Sequence, residues 1–307
     1  MTQLTAQAVL SHIQENRSLK QKELSAINLE GHVLDTGDFS ESYLRRANLS
    51  KTSCQKANFS GATLIFASLD AANLQGAQLL NTFLSEATMT QANLEGVAAK
   101  GAKFSGANLV EAKGGEAVLD EADFREVQGM RSQFPRASCL STAFSRADFE
   151  GANFEDADLF RTQWQQSNLL DASLVSANLE KAIFVEANLS GANLSAANAL
   201  NTDFKQAKFS NAILIKTQLD WANCTEAIFT NAKLQGASLF NTNLQDASLL
   251  GADFTNADLR EADFENAQME GVCLKGCKVR KAIFTGATGL TKEQKAWLKE
   301  NQALNVE

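Results

Sequence analysis

Three residue types that enzymes of this length use freely are nearly missing from the 307-residue chain. It carries one proline (Pro135), one tyrosine (Tyr43) and two histidines (His12 and His32). Both histidines fall near the start, so no histidine-based nucleophile set is available. Glycine-rich phosphate loops, HExxH and CxxC are also missing. No apolar run is long enough to span a bilayer. Met1 to Arg17 lacks a basic segment followed by an apolar one, so no secretory signal is expected. A basic excess is missing too: net charge is −8 with pI near 5.0, which argues against direct nucleic-acid binding. Five cysteines give no even framework. Cys273 and Cys277 lack a further Cys or His nearby to complete a zinc set, so no metal or other cofactor is expected. Cys54, Cys139 and Cys224 sit at apolar positions and read as reduced core thiols of a cytoplasmic protein.

What the chain has instead is a repeat. Of the 48 positions at every fifth residue from Leu49 to Phe284, 37 are Leu or Phe. Two residues before each lies a small side chain: of the 49 positions from Ala47 to Ala287, 36 are Ala and the rest Thr, Val, Ser or Cys. The phase never slips, which excludes insertions. A period of five fits neither a helix nor a flat strand. It fits a chain that turns a corner every five residues and sends one large and one small side chain into a narrow interior. The three remaining residues are rich in Asn, Asp, Ser, Gly, Gln and Glu, as exposed turn positions require. Five of the seven Thr in the small column (82, 142, 162, 202 and 242) are separated by multiples of 20, which hints at a 20-residue coil.

Runs such as Ala147-Asp148-Phe149-Glu150-Gly151 and Ala187-Asn188-Leu189-Ser190-Gly191 resemble the A(D/N)LXX unit of the pentapeptide-repeat family. The resemblance covers about residues 17–287. It implies an all-β fold, a right-handed quadrilateral parallel β-helix with four pentapeptides per coil. The expected organisation is an N-terminal capping helix over 1–16, a β-helix over 17–289 and a C-terminal capping helix over 290–307. Ala6, Val9, Leu10 and Ile13 share one helical face. Arg17, Lys22, Ile27 and His32 occupy the small column, so the first coil is expected to be widened, with His32 a capping polar group. Thr291-Lys292-Glu293-Gln294 reads as a capping box, with Leu290, Trp297, Leu298 and Leu304 on the apolar side of the helix that follows. Gly114 and Gly129 fall in the large column and Pro135 follows, so a thin, irregular coil is expected near 111–136.

With no catalytic set, function must lie on surfaces. Leu80, Leu140, Phe160, Leu200 and Phe240 each follow a large-column residue and are separated by multiples of 20. They read either as local turn chemistry or as a protein-binding ladder, because exposed apolar rows are otherwise a liability. Trp297 joins them as a binding candidate: closing the core is the plain role of the terminal helix, and homodimerisation through the C-terminal end is what the family resemblance adds. Acidic residues cluster at Asp148 and Glu150 and again at Asp253, Asp258, Glu261 and Asp263. Residues 221–270 hold 2 basic and 8 acidic side chains, whereas 271–307 hold 7 and 3. Some family members resemble B-form DNA in charge and width and protect DNA gyrase, so the acidic groups read either as a solvated surface or as a DNA mimic. The stretch Ala8-Val9-Leu10-Ser11-His12 through Leu24-Ser25-Ala26-Ile27-Asn28-Leu29-Glu30-Gly31 is similar to the lead-in of bacterial pentapeptide proteins associated with type VI secretion, which implies a role as a loading adaptor or accessory protein. The leading expectation is a non-catalytic scaffold that binds another protein.

Overall fold

The computed structural model describes residues 4–307, which divide into two compact units, the first ending at Asn153 and the second running Phe154–Glu307. Both units are built as a right-handed, four-sided parallel β-helix. Within each pentapeptide the small and large residues are buried, and the residue between them points outward and forms the inter-coil bridge. Two corner residues complete the five.

In the first unit one side consists of Ala62, Thr63 and Leu64. The Thr63 N–H donates to the Ser42 carbonyl at 2.9 Å, and the Leu44 N–H donates to the Thr63 carbonyl at 2.8 Å. Thr63 therefore bridges Tyr43 on one side and Phe83 on the other, a register of 20 residues. The Ala62 N–H closes the corner on the Phe59 carbonyl at 2.9 Å, with Gly61 at φ +67°. Positive φ at the third turn residue is the type II sign pattern. Most corners hold this left-handed position with a non-glycine side chain, where an L-residue is strained.

The Asn or Asp of the repeat has a local task. Asn58 Oδ1 accepts the Ser60 N–H at 3.0 Å, occupying a corner donor that the ladder leaves free. Pro135 stands at the same corner position as Ser60 but has no N–H, and the residue two before it is Gln133 rather than Asn or Asp. A proline there also presets the φ of the second turn residue.

The second unit repeats the plan. Asn223 bridges Asp203 and Asn243, and the Phe204 N–H donates to the Asn223 carbonyl at 2.7 Å. Outward amides form ladders: Asn198 donates to Asn178 at 3.1 Å, and Asn178 to Asp158 at 2.9 Å. Inside, the coil spacing matches ring stacking, so several phenylalanine pairs 20 residues apart lie face to face, while Phe124 and Phe144 are tilted at 40°. Phe209 and Phe229 have centroids 4.7 Å apart at 6°, and Phe184 and Phe204 5.2 Å apart at 24°. The same stacking joins Phe39 to Phe59 at 4.9 Å in the first unit. Each such buried side chain contributes roughly 1.5–3 kcal/mol.

Buried Thr residues of the small column are satisfied by backbone. Thr82 donates to the Phe59 carbonyl at 2.8 Å and Thr242 to Leu219 at 2.8 Å, each reaching into the preceding coil. A polar residue thereby enters the core without an unpaired hydroxyl.

Three sequence expectations are corrected. The irregular coil near 111–136 is absent: corners and bridges continue in phase, with Lys113 bridging Gln133 and Gln128 bridging Asp148. The Phe134 ring occupies the space a Cβ at Gly114 would need, and the Phe149 ring does the same at Gly129. The first coil is not widened either. Ladder bonding is regular from the Leu19 N–H, which donates to Asp38 at 2.8 Å. Lys22 stays exposed and His32 half-buried at the open rim, where His32 Nδ1 lies 3.0 Å from the Glu30 carbonyl. Helix α1, Ala6–Gln14, turns Val9 inward over this end. Finally, α2 spans Lys292–Glu300 only, opened by the capping box at Thr291 and burying Leu298. Beyond it the chain returns to the sheet: Leu304 bridges Ile283 and remains exposed rather than lying on the helix face. No helix among the described residues is long and apolar enough to cross a membrane.

None of the five cysteines is in a disulfide, and all but Cys273 are buried. Burial pushes the Cys54 and Cys277 thiols up to about 12 and also raises Cys224. A thiol-exchange titration at neutral pH should therefore report one fast cysteine in the native protein and five after denaturation. Four fast thiols in native buffer would show that the interior opens readily.

Candidate functional site

Outward side chains come in two kinds, the bridge residue in the middle of each side and the two corner residues. The predicted ladder occupies the first corner position. Leu80 is exposed, but Leu140, Phe160, Leu200 and Phe240 are only half-buried, because neighbouring coils cover them. Phe160 lies under two cations, Arg161 at 4.9 Å and Lys181 at 5.4 Å. Phe240 lies under Arg260 at 5.8 Å and meets Trp221 edge to face at 5.7 Å.

Trp221 was not anticipated from sequence, and it is the most exposed aromatic side chain of the second unit, at 56%. It holds a left-handed corner position at φ +63°. The first unit has a similar group. Phe66 stands at φ +60° with 45% exposure, and the guanidinium carbons of Arg45 and Arg46 each lie 5.8 Å from its ring centre. Tyr43 and Phe83, both exposed, lie in the bridge column of the adjoining side. Phe66 and Trp221 are the only aromatic residues at left-handed corners among the described residues. Tabulating the residue before each small-column position would have found both.

Trp297 is half-buried and lines a shallow groove of about 360 Å³ with Leu274, Lys275, Gly276, Glu293 and Gln294. Gln294 Nε2 donates to the Val272 carbonyl at 2.8 Å, which fixes α2 on the last coil. No group of three or more His, Cys, Asp and Glu among the described residues could hold a metal ion.

Models of the pentapeptide-repeat family match most of the chain: pentapeptide repeats (8 copies) at residues 37–64, 67–106, 100–128 and 152–191, and a pentapeptide repeat region at 202–284. The chain belongs to the pentapeptide-repeat family. Similar solved structures include HetL, involved in heterocyst differentiation regulation, from the cyanobacterium Nostoc sp. strain PCC 7120. It is 22% identical, with 94% of this chain and 99% of that chain covered and a TM-score of 0.26. Full-length QnrB1, a plasmid-mediated fluoroquinolone resistance protein, is 16% identical over 91% of this chain and 98% of that one, TM-score 0.38. Rfr23 from the cyanobacterium Cyanothece 51142 is 32% identical over 35% and 60%, TM-score 0.18. No curated protein matches this chain in sequence.

The acidic residues of this pentapeptide-repeat chain are mostly engaged. Asp148 Oδ1 accepts the Glu150 N–H at 3.2 Å, and Asp263 Oδ1 accepts the Glu265 N–H at 3.0 Å. Asp253 accepts from Thr255 and Gln235 and bridges Lys233. Asp258 pairs with Arg260 at 2.7 Å and Lys278 at 3.8 Å, and Glu261 with Lys281 at 3.3 Å. Partial burial works against the Asp258 carboxylate, but hydrogen bonds and charge from Arg260, with Lys278, hold its pKa below the usual range.

Proposed function

We propose that this chain is a non-catalytic scaffold that binds another protein through aromatic patches at its corners. The observation that supports this most is Trp221. A bulky side chain at φ +63° is held against its backbone preference and left more than half exposed, with the edge of the Phe240 ring as its one aromatic neighbour among the described residues. Trp and Arg are the side chains that most often dominate binding energy, and Trp221, Phe240 and Arg260 lie together. The outward side chains otherwise form ladders and ion pairs between coils. The second unit's acidic residues support the DNA-mimic alternative less well. Asp258 and Glu261 are paired with cations and Asp253 is stacked on Lys233, which breaks a phosphate-like stripe.

The test compares wild-type chain with a Trp221→Asn/Phe240→Ser variant in cross-linking from extracts of its native cells. At least one cross-linked protein should fall tenfold or more with the variant, while circular dichroism stays unchanged. An identical set of partners recovered by both proteins would remove this reading.

A further inference from the structure

The first unit carries a second aromatic patch with a charge pattern of its own. Four of the nine exposed large hydrophobic side chains of the described chain, Tyr43, Phe66, Leu80 and Phe83, lie on one side of three successive coils and its two bordering corners. The side runs through Tyr43, Thr63 and Phe83, which bridge in that order. Leu80 sits at one border and Phe66 at the other.

The cations at this patch are unusual. The first unit holds seven arginines, and Arg17, Arg125, Arg131, Arg136 and Arg146 each form an ion pair with a carboxylate. Arg45 and Arg46 form none among the described residues, and both stand over the Phe66 ring. Two exposed, unneutralised guanidinium groups beside an exposed aromatic ring call for a carboxylate and an apolar side chain presented together. The left-handed corner position then changes sign along the stack, from Arg46 through Phe66 to Glu86 in successive coils. That gradient orients a bound segment, with its carboxylates over Arg45 and Arg46 and away from Glu86.

We propose that this patch binds an acidic segment of a partner protein in which carboxylates flank an aromatic or large aliphatic anchor. The proposal rests on the protein-binding reading above and names the partner's chemistry. A nucleic-acid strand fits less well, because its evenly spaced phosphates would run past Glu23, Glu41 and Glu86, whereas a segment with its carboxylates gathered at one end meets only Arg45 and Arg46. The position of Phe66 adds an independent argument. Asn or Gly would hold φ +60° with less strain, so an aromatic ring here is retained at the expense of stability.

The experiment pans a random twelve-residue peptide library on the full chain and measures recovered peptides by fluorescence anisotropy, with a labelled fifteen-residue oligothymidine alongside. Recovered peptides should be enriched in Asp or Glu next to Trp, Phe or Leu. Their affinity should fall at least tenfold with Phe66→Asn and with Arg45→Glu/Arg46→Glu, and stay unchanged with Val118→Ser, an exposed apolar control elsewhere in the unit. Phe66→Asn should also raise the melting temperature, so its loss of binding is not loss of fold. Peptides without acidic bias, or affinities indifferent to both patch variants, overturn the proposal. So does tighter binding of the oligothymidine, or self-association of the wild-type chain that Phe66→Asn abolishes. Peptides lost only with Trp221→Asn/Phe240→Ser would leave the protein-binding reading standing and remove this one. A library yielding no binder counts against both.

Discussion

Gly129→Leu is expected to destabilise the protein by about 3 kcal/mol or more, although it restores the residue the repeat prefers. A Cβ at this position would meet the Phe149 ring, with Cδ1 at 2.6 Å and Cζ at 2.9 Å. The ring cannot swing away, because Phe134 and Phe144 hold it edge-on at centroid distances of 6.4 and 5.5 Å. Phe149→Leu alone should cost roughly 1–3 kcal/mol, because the smaller side chain leaves the gap at Gly129 open. The double variant Gly129→Leu/Phe149→Leu should recover most of the loss, since Leu over Leu is the ordinary content of two stacked coils. Coupling between such neighbours is commonly about 0.5–3 kcal/mol. Urea unfolding followed by circular dichroism measures all four corners of the cycle. A Gly129→Leu protein as stable as wild type would mean that the Phe149 ring does not fill the gap.

This pair also marks the limit of reading the fold from sequence. The five-residue period and the Leu and Phe column were legible because burial imposes them on every coil in the same way. Gly129 was legible as a missing side chain, but its replacement comes from the next coil, through the tilt of one ring. The only trace in the sequence is spacing: Gly114 and Phe134, like Gly129 and Phe149, are one coil apart. The ladder of Leu80, Leu140, Phe160, Leu200 and Phe240 was read from the right periodicity, yet most of its members are half-covered by neighbouring coils and cations. Tyr43, Phe66, Phe83 and Trp221 were missed for a different reason. They break no hydrophobic column. They break the rule for the left-handed corner or occupy the outward bridge position, and those rules become visible only when the corner geometry is known.

Phe204→Asp is expected to leave the second unit unfolded at neutral pH. The side chain is fully buried in an aromatic run, stacked on Phe184 at 5.2 Å and meeting Phe209 edge to face at 5.1 Å. A carboxylate there would find neither water nor a donor, so burial would raise its folded-state pKa well above the unfolded value. The sign follows. Below about pH 4 an Asp is protonated in both states, and the loss is limited to packing and an unmet hydroxyl. As pH rises above about 4, the unfolded chain releases a proton that the folded chain retains, and the penalty grows by about 1.4 kcal/mol per pH unit until the folded group ionises. The difference from wild type at each pH should therefore be smallest in acid and largest near neutrality. Phe204→Leu, which keeps the site apolar, should show a pH-independent loss of about 1–2 kcal/mol. Unfolding midpoints of the three proteins between pH 3 and pH 7 separate the terms. A Phe204→Asp protein whose deficit does not change with pH would mean that water reaches the aromatic stack.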